Sequence, residues 1–249
     1  MRRLLEGDIT RILHKKIFYT AFIIAIAAGI AAITACLFSY QQTGYTFMYA
    51  AISCSSLTAG LMGLIIFMGI YVDEFRNMAL SNAIGRGVSR NRIIIAKLLD
   101  CVILLLVSTI IYTAFLLICG KVTGTTMSPT ESQAFWLYAF TGFYDIIGAI
   151  CIAALFIFIS GNISLGIFIY IGVNLIVPVA LFLIDMVPAL ERFHLTRYSF
   201  SGLNEMAVAE ILMGAHLRGA VTLLVSGLIY IGGSTVLMLI IFRKKELEF

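Results

Sequence analysis

The chain has 249 residues, of which 61% are hydrophobic and 12% are charged, and its mean hydropathy is +1.04. Soluble domains are about 45–50% apolar and about 25% charged, and a soluble fold of this length could not bury so much apolar surface. The composition therefore excludes a soluble enzyme, a disordered chain and a secreted disulfide scaffold, and it predicts a polytopic membrane protein.

Six stretches of about 20 residues are apolar enough to cross a bilayer as helices. They cover residues 17–39, 47–72, 98–119, 137–160, 163–185 and 219–242. Each stretch is continuously apolar instead of alternating, which excludes a transmembrane β-barrel. We therefore expect an all-α fold with six transmembrane helices in a single domain over residues 1–249.

The segment between the second and third predicted spans is about 25 residues long, although a simple antiparallel connection needs only a few. The residues at helical spacing in it are Phe75, Met78, Ala79 and Asn82. Gly85 and Gly87 favour the end of this helix, and Ser89 suits the N-cap of the next one. The pattern predicts a short helix that either contacts a partner protein or lies at the membrane interface and stabilises the fold.

Three acidic residues lie inside the predicted spans or at their ends. An ionisable group at the centre of a membrane helix costs about 2.5–3.5 kcal/mol on insertion scales. Asp100 and Asp185 are close to predicted ends, so we expect them to reach water. Asp145 is the deepest, and it either faces an aqueous vestibule, pairs with a neighbouring helix, or contacts the substrate or a proton.

The fifth predicted span contains Pro178, whose ring removes the hydrogen bond to the carbonyl of Asn174 and should kink the helix. The amide of Asn174 also needs a polar partner in lipid. Such a helix either lines a transport pathway or packs against a neighbour. Together with Asp145, these two residues are the candidate pathway residues.

The last long connection, residues 186–218, contains a helical patch at residues 204–213 that Gly214 ends. Asn204 suits the N-cap of this patch and Glu205 its first turn. Its apolar residues are too numerous for a free loop, so we expect a short outer-leaflet helix between spans five and six.

Thirteen of the seventeen Lys and Arg residues lie in the two terminal tails and in the segment between spans two and three. Since positive residues are enriched on the cytoplasmic side, both termini and this segment are predicted to be cytoplasmic. The net charge of +4 therefore indicates topology and contact with anionic membrane lipids, and it does not indicate nucleic-acid binding.

Sequence motifs for catalysis are missing. The chain has no GxxxxGK[ST] phosphate loop, no HExxH and no GxSxG. Its five cysteines all fall within spans and form no CxxC pair, which is typical of apolar filler and not of a disulfide or metal site. We expect no catalytic residue, no metal and no cofactor, so any ATP must be hydrolysed by another chain.

The chain resembles the permease subunits of type-2 ATP-binding-cassette (ABC) transporters, and in particular small bacterial peptide, bacteriocin or drug exporter permeases. The likeness rests on six spans, cytoplasmic termini, a basic amphipathic stretch before the first span and a loop of characteristic pattern. The loop residues that match are Glu74, Gly85, Gly87, Ser89, Arg90, Ala96 and Lys97. Many members carry Gly-Thr soon after the acidic residue, where this chain has Met78-Ala79.

In that family, the loop helix is a coupling helix that docks into a cleft on a separate ATPase subunit. The resemblance implies that the contacts to the ATPase come from Glu74, Phe75, Met78, Ile84, Gly85, Gly87 and Arg90. It also implies an ATP-binding-cassette ATPase partner that binds the ATP, a second permease copy or homologue, and a bacterial cytoplasmic membrane.

The expected function is therefore ATP-driven export of a hydrophobic or amphipathic cargo, such as a peptide antibiotic or bacteriocin, a drug or a lipid. Few fixed charges in the spans favour such a cargo over a small ion. The alternatives are an ion-coupled secondary transporter and a membrane scaffold or signalling subunit that transports nothing.

Overall fold

The computed structural model describes residues 2–38, 44–72, 85, 89–125, 127–187 and 193–244. Within these residues it has six helices that are long and apolar enough to cross a membrane, and it has no strand. The prediction of an all-α polytopic membrane protein is confirmed at this level.

Each of the six spans is a helix, and three of them contain a π turn. Their bounds are span 1, Lys16–Phe38; span 2, Gly44–Phe67 with a π turn at Met68–Val72; span 3, Arg90–Val122; span 4, Pro129–Ser160; span 5, Ile163–Ile171, a π turn at Gly172–Ile176 and Val177–Asp185; and span 6, His216–Gly227, a π turn at Leu228–Gly232 and Gly233–Lys244. An N-terminal helix at Arg2–Leu13 precedes span 1, and a connecting helix at Phe200–Leu212 lies between spans 5 and 6.

Spans 3 and 4 begin eight residues before the apolar windows predicted at 98 and 137. Span 3 begins after Ser89, which takes the extended N-cap conformation. Span 4 begins with a capping box, in which the Ser128 hydroxyl accepts from the Glu131 amide and the Glu131 carboxylate accepts from the Ser128 amide at 2.7 Å. A capping box therefore sets the start of span 4, whereas Ser89, which the sequence predicts as an N-cap, holds that position without a side-chain capping hydrogen bond.

The expectation that Asp100 reaches water near a span end is wrong. Because span 3 starts at Arg90, Asp100 lies in its third turn and is 0% exposed. Lys97, one turn earlier, is only 4% exposed. The N-terminal helix packs on this part of span 3, where Ile12 and Ile94 belong to one buried cluster.

Span 4 is the centre of the bundle. It contacts spans 2, 3, 5 and 6 and the connecting helix, and small residues such as Ala149, Ala153 and Ala154 let these neighbours approach closely. Two thirds of its apolar window is buried, at 67%, whereas the corresponding value for span 5 is 6%. Spans 1 and 5 thus present most of their apolar surface outward, as a membrane protein does toward lipid or a second subunit.

Gly148 marks the closest approach between span 4 and the connecting helix. A Cβ at this position would lie 2.1 Å from Cε1 of the Phe200 ring. That ring has little freedom to move, because its centroid is 5.5 Å from that of Tyr144 and 4.8 Å from that of Tyr230. Six residues earlier on the same helix, a Cβ at Gly142 would have no neighbour within 4 Å.

We expect Gly148→Ala to lower the free energy of unfolding by about 1–3 kcal/mol, the usual effect of overpacking a filled site. Gly142→Ala should be neutral or should stabilise span 4 by up to about 1 kcal/mol, since alanine favours helix. Thermal unfolding of the detergent-purified variants measures both effects. Equal melting temperatures for the two variants would contradict the close approach.

Candidate functional site

A cavity of about 360 Å³ lies among spans 2, 4, 5 and 6 and the start of the connecting helix. It brings together all three candidate pathway residues, Asp145, Asn174 and Pro178. The other polar side chains that line it are Ser56, Ser199, Ser201, Glu205 and Tyr230. Its volume is within the range of ligand pockets, about 300–1,000 Å³, and we refer to it below as the polar cavity.

Asp145 pairs with a neighbouring helix and also lines the polar cavity. The amide Nδ2 of Asn204, on the connecting helix, donates to Oδ1 of Asp145. Oδ1 of Asn204 in turn accepts from the hydroxyl of Ser226 on span 6 at 2.9 Å. This chain of hydrogen bonds joins span 4, the connecting helix and span 6, and both of its inner members, Asn204 and Ser226, are 1% exposed.

The prediction that Asn204 caps the connecting helix is wrong. The helix begins four residues earlier, and its N-cap is Ser199, whose hydroxyl accepts from the Gly202 amide at 3.0 Å. Asn204 therefore lies in the second turn, where its side chain points into the bundle toward Asp145. Sequence reasoning found the helix and its end near Gly214 but misassigned the residues that join it to the bundle.

Asp185 holds the backbone that leads into the connecting helix. Its carboxylate accepts from the amides of Leu195 and Thr196, at 2.7 Å and 2.9 Å, and from the Thr196 hydroxyl. The Thr196 carbonyl accepts from the Ser199 hydroxyl at 2.8 Å. Asp185 does lie at a span end, as predicted. Through Thr196 it also restrains the backbone next to Ser199, which lines the polar cavity, and the sequence did not indicate this contact.

Two of the π turns bring residues to the polar cavity. In span 5 the amide of Val177 donates to the carbonyl of Gly172, five residues back, and this turn contains Asn174. In span 6 the amide of Gly233 donates to Leu228 in the same way, and this turn contains Tyr230. The π turn of span 5 ends at Ile176, two residues before Pro178, the residue at which the sequence predicts a kink. Such turns recur at functional sites.

The amide of Asn174 is placed against open space. It lines the polar cavity and also a second, mainly apolar groove of about 600 Å³ between spans 2 and 5. Within the described part of the chain its side chain makes no hydrogen bond. An amide at this position needs a polar partner, and the cavity is where one would bind.

The polar cavity is acidic. Asp145 and Glu205 both line it, and none of the described lining residues is Lys, Arg or His. Glu205 keeps contact with solvent, but the surrounding protein partly desolvates its carboxylate and raises its pKa. The negative potential of two carboxylates favours a cation or a cationic group in this space.

Five of the seven predicted coupling residues lie outside the described residues: Glu74, Phe75, Met78, Ile84 and Gly87. Gly85 is described as helical and exposed. Arg90 begins span 3, and its Nη1 donates at 2.9 Å to the carbonyl of Phe242, in the last turn of span 6. Its guanidinium carbon also lies 5.6 Å from the centroid of the Phe242 ring, a cation–π distance.

Two more contacts occur at the same end of the bundle. Arg11, on the N-terminal helix, donates from Nη2 at 3.2 Å to the carbonyl of Gly69, in the π turn that ends span 2. Arg243 donates to the side-chain oxygen of Asn91 at 3.1 Å. Arg11 and Arg90 thus donate to backbone carbonyls in the last described turns of spans 2 and 6. Both flanks of the segment 73–88 are thereby attached to the bundle.

In sequence, no family model and no curated protein matches the chain. Among the described residues, no group of three or more His, Cys, Asp or Glu is placed to hold a metal ion. What the polar cavity offers is two carboxylates, an amide, hydroxyls and the rings of Phe200 and Tyr230. These groups suit reversible binding of a ligand.

The hydrogen bond between Asp145 and Asn204 can be tested by exchanging its two partners. Asn204→Asp should lower the free energy of unfolding by about 1–3 kcal/mol, because Asp145 loses its donor and faces a second carboxylate. The double variant Asp145→Asn, Asn204→Asp restores an amide–carboxylate pair and should recover most of that loss. Thermal unfolding in detergent measures the series, with Asp145→Asn alone as the control. A double variant as unstable as Asn204→Asp would show that the pair is not formed.

Proposed function

We propose that the chain is the transmembrane subunit of an ATP-driven ABC exporter in a bacterial cytoplasmic membrane. A separate ATPase subunit binds and hydrolyses the ATP, and a second permease copy or homologue completes the complex. The observation that carries the proposal is the attachment of both flanks of segment 73–88 to the end of the bundle, through Arg11 on one side and Arg90 on the other.

This attachment links the segment to the polar cavity. Span 2, which ends in the π turn bound by Arg11, contributes Ser56 to the cavity wall. Span 6, whose end is bound by Arg90, contributes Tyr230. A coupling segment that moves with an ATPase subunit would therefore shift two walls of the cavity together, as a rigid-body transition.

The composition of the chain supports the division of labour. The sequence contains no phosphate loop, so the energy of ATP must enter through contacts with another subunit. The basic residues at this end of the bundle, Arg11, Arg90 and Arg243 among them, favour the cytoplasmic side, where such an ATPase would bind. A cargo that is hydrophobic or amphipathic suits the groove and the polar cavity.

The coupling segment can be tested directly. Phe75→Asp and Met78→Asp should abolish co-purification of a phosphate-loop ATPase with the tagged chain from native membranes, because a charge replaces an apolar contact that docking would desolvate. ATP-driven export should fail as well, while membrane insertion should persist. Affinity purification followed by mass spectrometry identifies the co-purified ATPase.

Met213→Asp is the matched control, since Met213 is 85% exposed at the end of the connecting helix. Like Met78→Asp, this variant replaces a methionine by an aspartate, but it lies outside the coupling segment and should leave co-purification unchanged. If the ATPase co-purifies equally with Met78→Asp and Met213→Asp, segment 73–88 is not the coupling element.

An ion-coupled secondary transporter is the second candidate, and the pair of carboxylates in the polar cavity favours it. The two functions separate by their energy source. Export by an ATP-driven complex stops when the partner ATPase is catalytically inactive and persists in a protonophore, whereas an ion-coupled carrier shows the reverse.

A further inference from the structure

The polar cavity and the apolar groove between spans 2 and 5 are adjoining spaces. Ser56 and Asn174 line both of them. On one side of these two residues lie the carboxylates of Asp145 and Glu205. On the other side the wall is mainly aliphatic, with Leu57, Leu61 and Leu175. The protein thus places an acidic space directly beside an apolar one.

Polar groups that face the acidic space are incompletely satisfied by the protein. Asp145 receives its only hydrogen bond from Asn204, at Oδ1, so its second oxygen has no donor among the described residues. The Asn174 amide makes no hydrogen bond within the described residues. A cationic group would complement the second oxygen of Asp145, and a polar group would satisfy the Asn174 amide, so a ligand that supplies both fits this space.

The ring of Tyr230 at the cavity wall fits the same ligand. Tyr230 lines the polar cavity and is only half-buried, whereas Phe200 is 6% exposed and packs against it with the ring centroids 4.8 Å apart. Aromatic faces bind organic ammonium groups, which are larger and less strongly hydrated than a metal ion. A small inorganic cation would use neither this ring nor the groove.

We propose that a single copy of the chain binds a cationic amphiphile, with its ammonium group in the polar cavity beside Asp145 and Glu205 and its alkyl tail in the groove between spans 2 and 5. The occupant is a molecule with one organic cation and an aliphatic chain. That this ligand is also the transported cargo rests on the proposed export function, whereas its binding does not.

The proposal is tested with dodecyltrimethylammonium as the probe. Equilibrium binding of the radiolabelled compound is measured on the purified full chain in lipid nanodiscs, with empty nanodiscs subtracted. Uncharged dodecyldimethylphosphine oxide, which has the same tail, should bind at least about tenfold more weakly, since one desolvated charge pair contributes about that factor. Tetramethylammonium, which lacks the tail, should bind weakly as well.

Glu205→Gln should weaken binding of dodecyltrimethylammonium about tenfold and leave binding of the uncharged compound unchanged. Glu205 is exposed, so this variant keeps the fold. The control is Glu210→Gln on the same helix, where the carboxylate pairs with Arg218 at 2.9 Å and does not line the polar cavity. Ser53 lines the groove but not the polar cavity, so Ser53→Trp should weaken binding of the tailed cation.

Equal affinities for the charged and uncharged compounds, or equal losses for Glu205→Gln and Glu210→Gln, would overturn the proposal. Unchanged binding in Ser53→Trp would overturn the placement of the tail. No ATPase is present in this assay, so its failure leaves the proposed export function standing. If, in contrast, no phosphate-loop ATPase co-purifies with the unaltered chain, the proposed export function is refuted, whereas the proposed binding site is not affected by that result.

Discussion

The hydrogen bond from Asn204 to Asp145 is the interaction on which the site depends. A carboxylate inside a membrane bundle is costly unless a donor accompanies it, and the donor here comes from a helix that does not cross the membrane. The bond therefore holds the connecting helix against span 4. Ser226 extends the connection to span 6, and the tight fit of Phe200 over Gly148 fixes the same helix sterically.

With the connecting helix fixed in this way, the polar cavity has a defined wall. Glu205 follows Asn204 directly in sequence, so the residue that pairs with Asp145 also positions the second carboxylate. Asp185 restrains the backbone before the helix, through Leu195 and Thr196. The acidic character of the cavity is thus a consequence of how this one helix docks.

The large features of the fold could be read from the sequence because they depend on bulk hydrophobicity. Six apolar stretches gave six spans, and the fifth span matched its predicted bounds at 163–185. The starts of spans 3 and 4 could not be read in this way, since both helices begin eight residues before the apolar runs, span 3 after the extended residue Ser89 and span 4 at the capping box of Ser128. The expectation that Asp100 reaches water was wrong for the same reason, because the earlier start of span 3 places this residue inside the bundle.

The site was predictable only in part. Asp145, Asn174 and Pro178 were identifiable because polar groups and proline are costly in lipid-facing helices, whatever their neighbours. That they meet in one cavity depends on contacts between distant parts of the chain, which no local pattern encodes. Asn204 and Glu205 were misread because their residue types suit a helix start equally well, and only the tertiary structure distinguishes a cap from a buried partner.

The π turns suggest how a movement at one end of the bundle reaches this cavity. A π turn interrupts the regular i to i−4 ladder, so a helix that contains one bends there more readily than elsewhere. Span 2 has its π turn at the end bound by Arg11, whereas spans 5 and 6 have theirs at Asn174 and Tyr230, beside the cavity. Span 4, which contains Asp145, is an uninterrupted helix at the centre of the bundle. Of the helices that line the cavity, span 4 is thus regular, whereas spans 5 and 6 are interrupted where they reach it. Displacement of span 6 by Arg90 would change the shape of the cavity at Tyr230 while Asp145 stays in place.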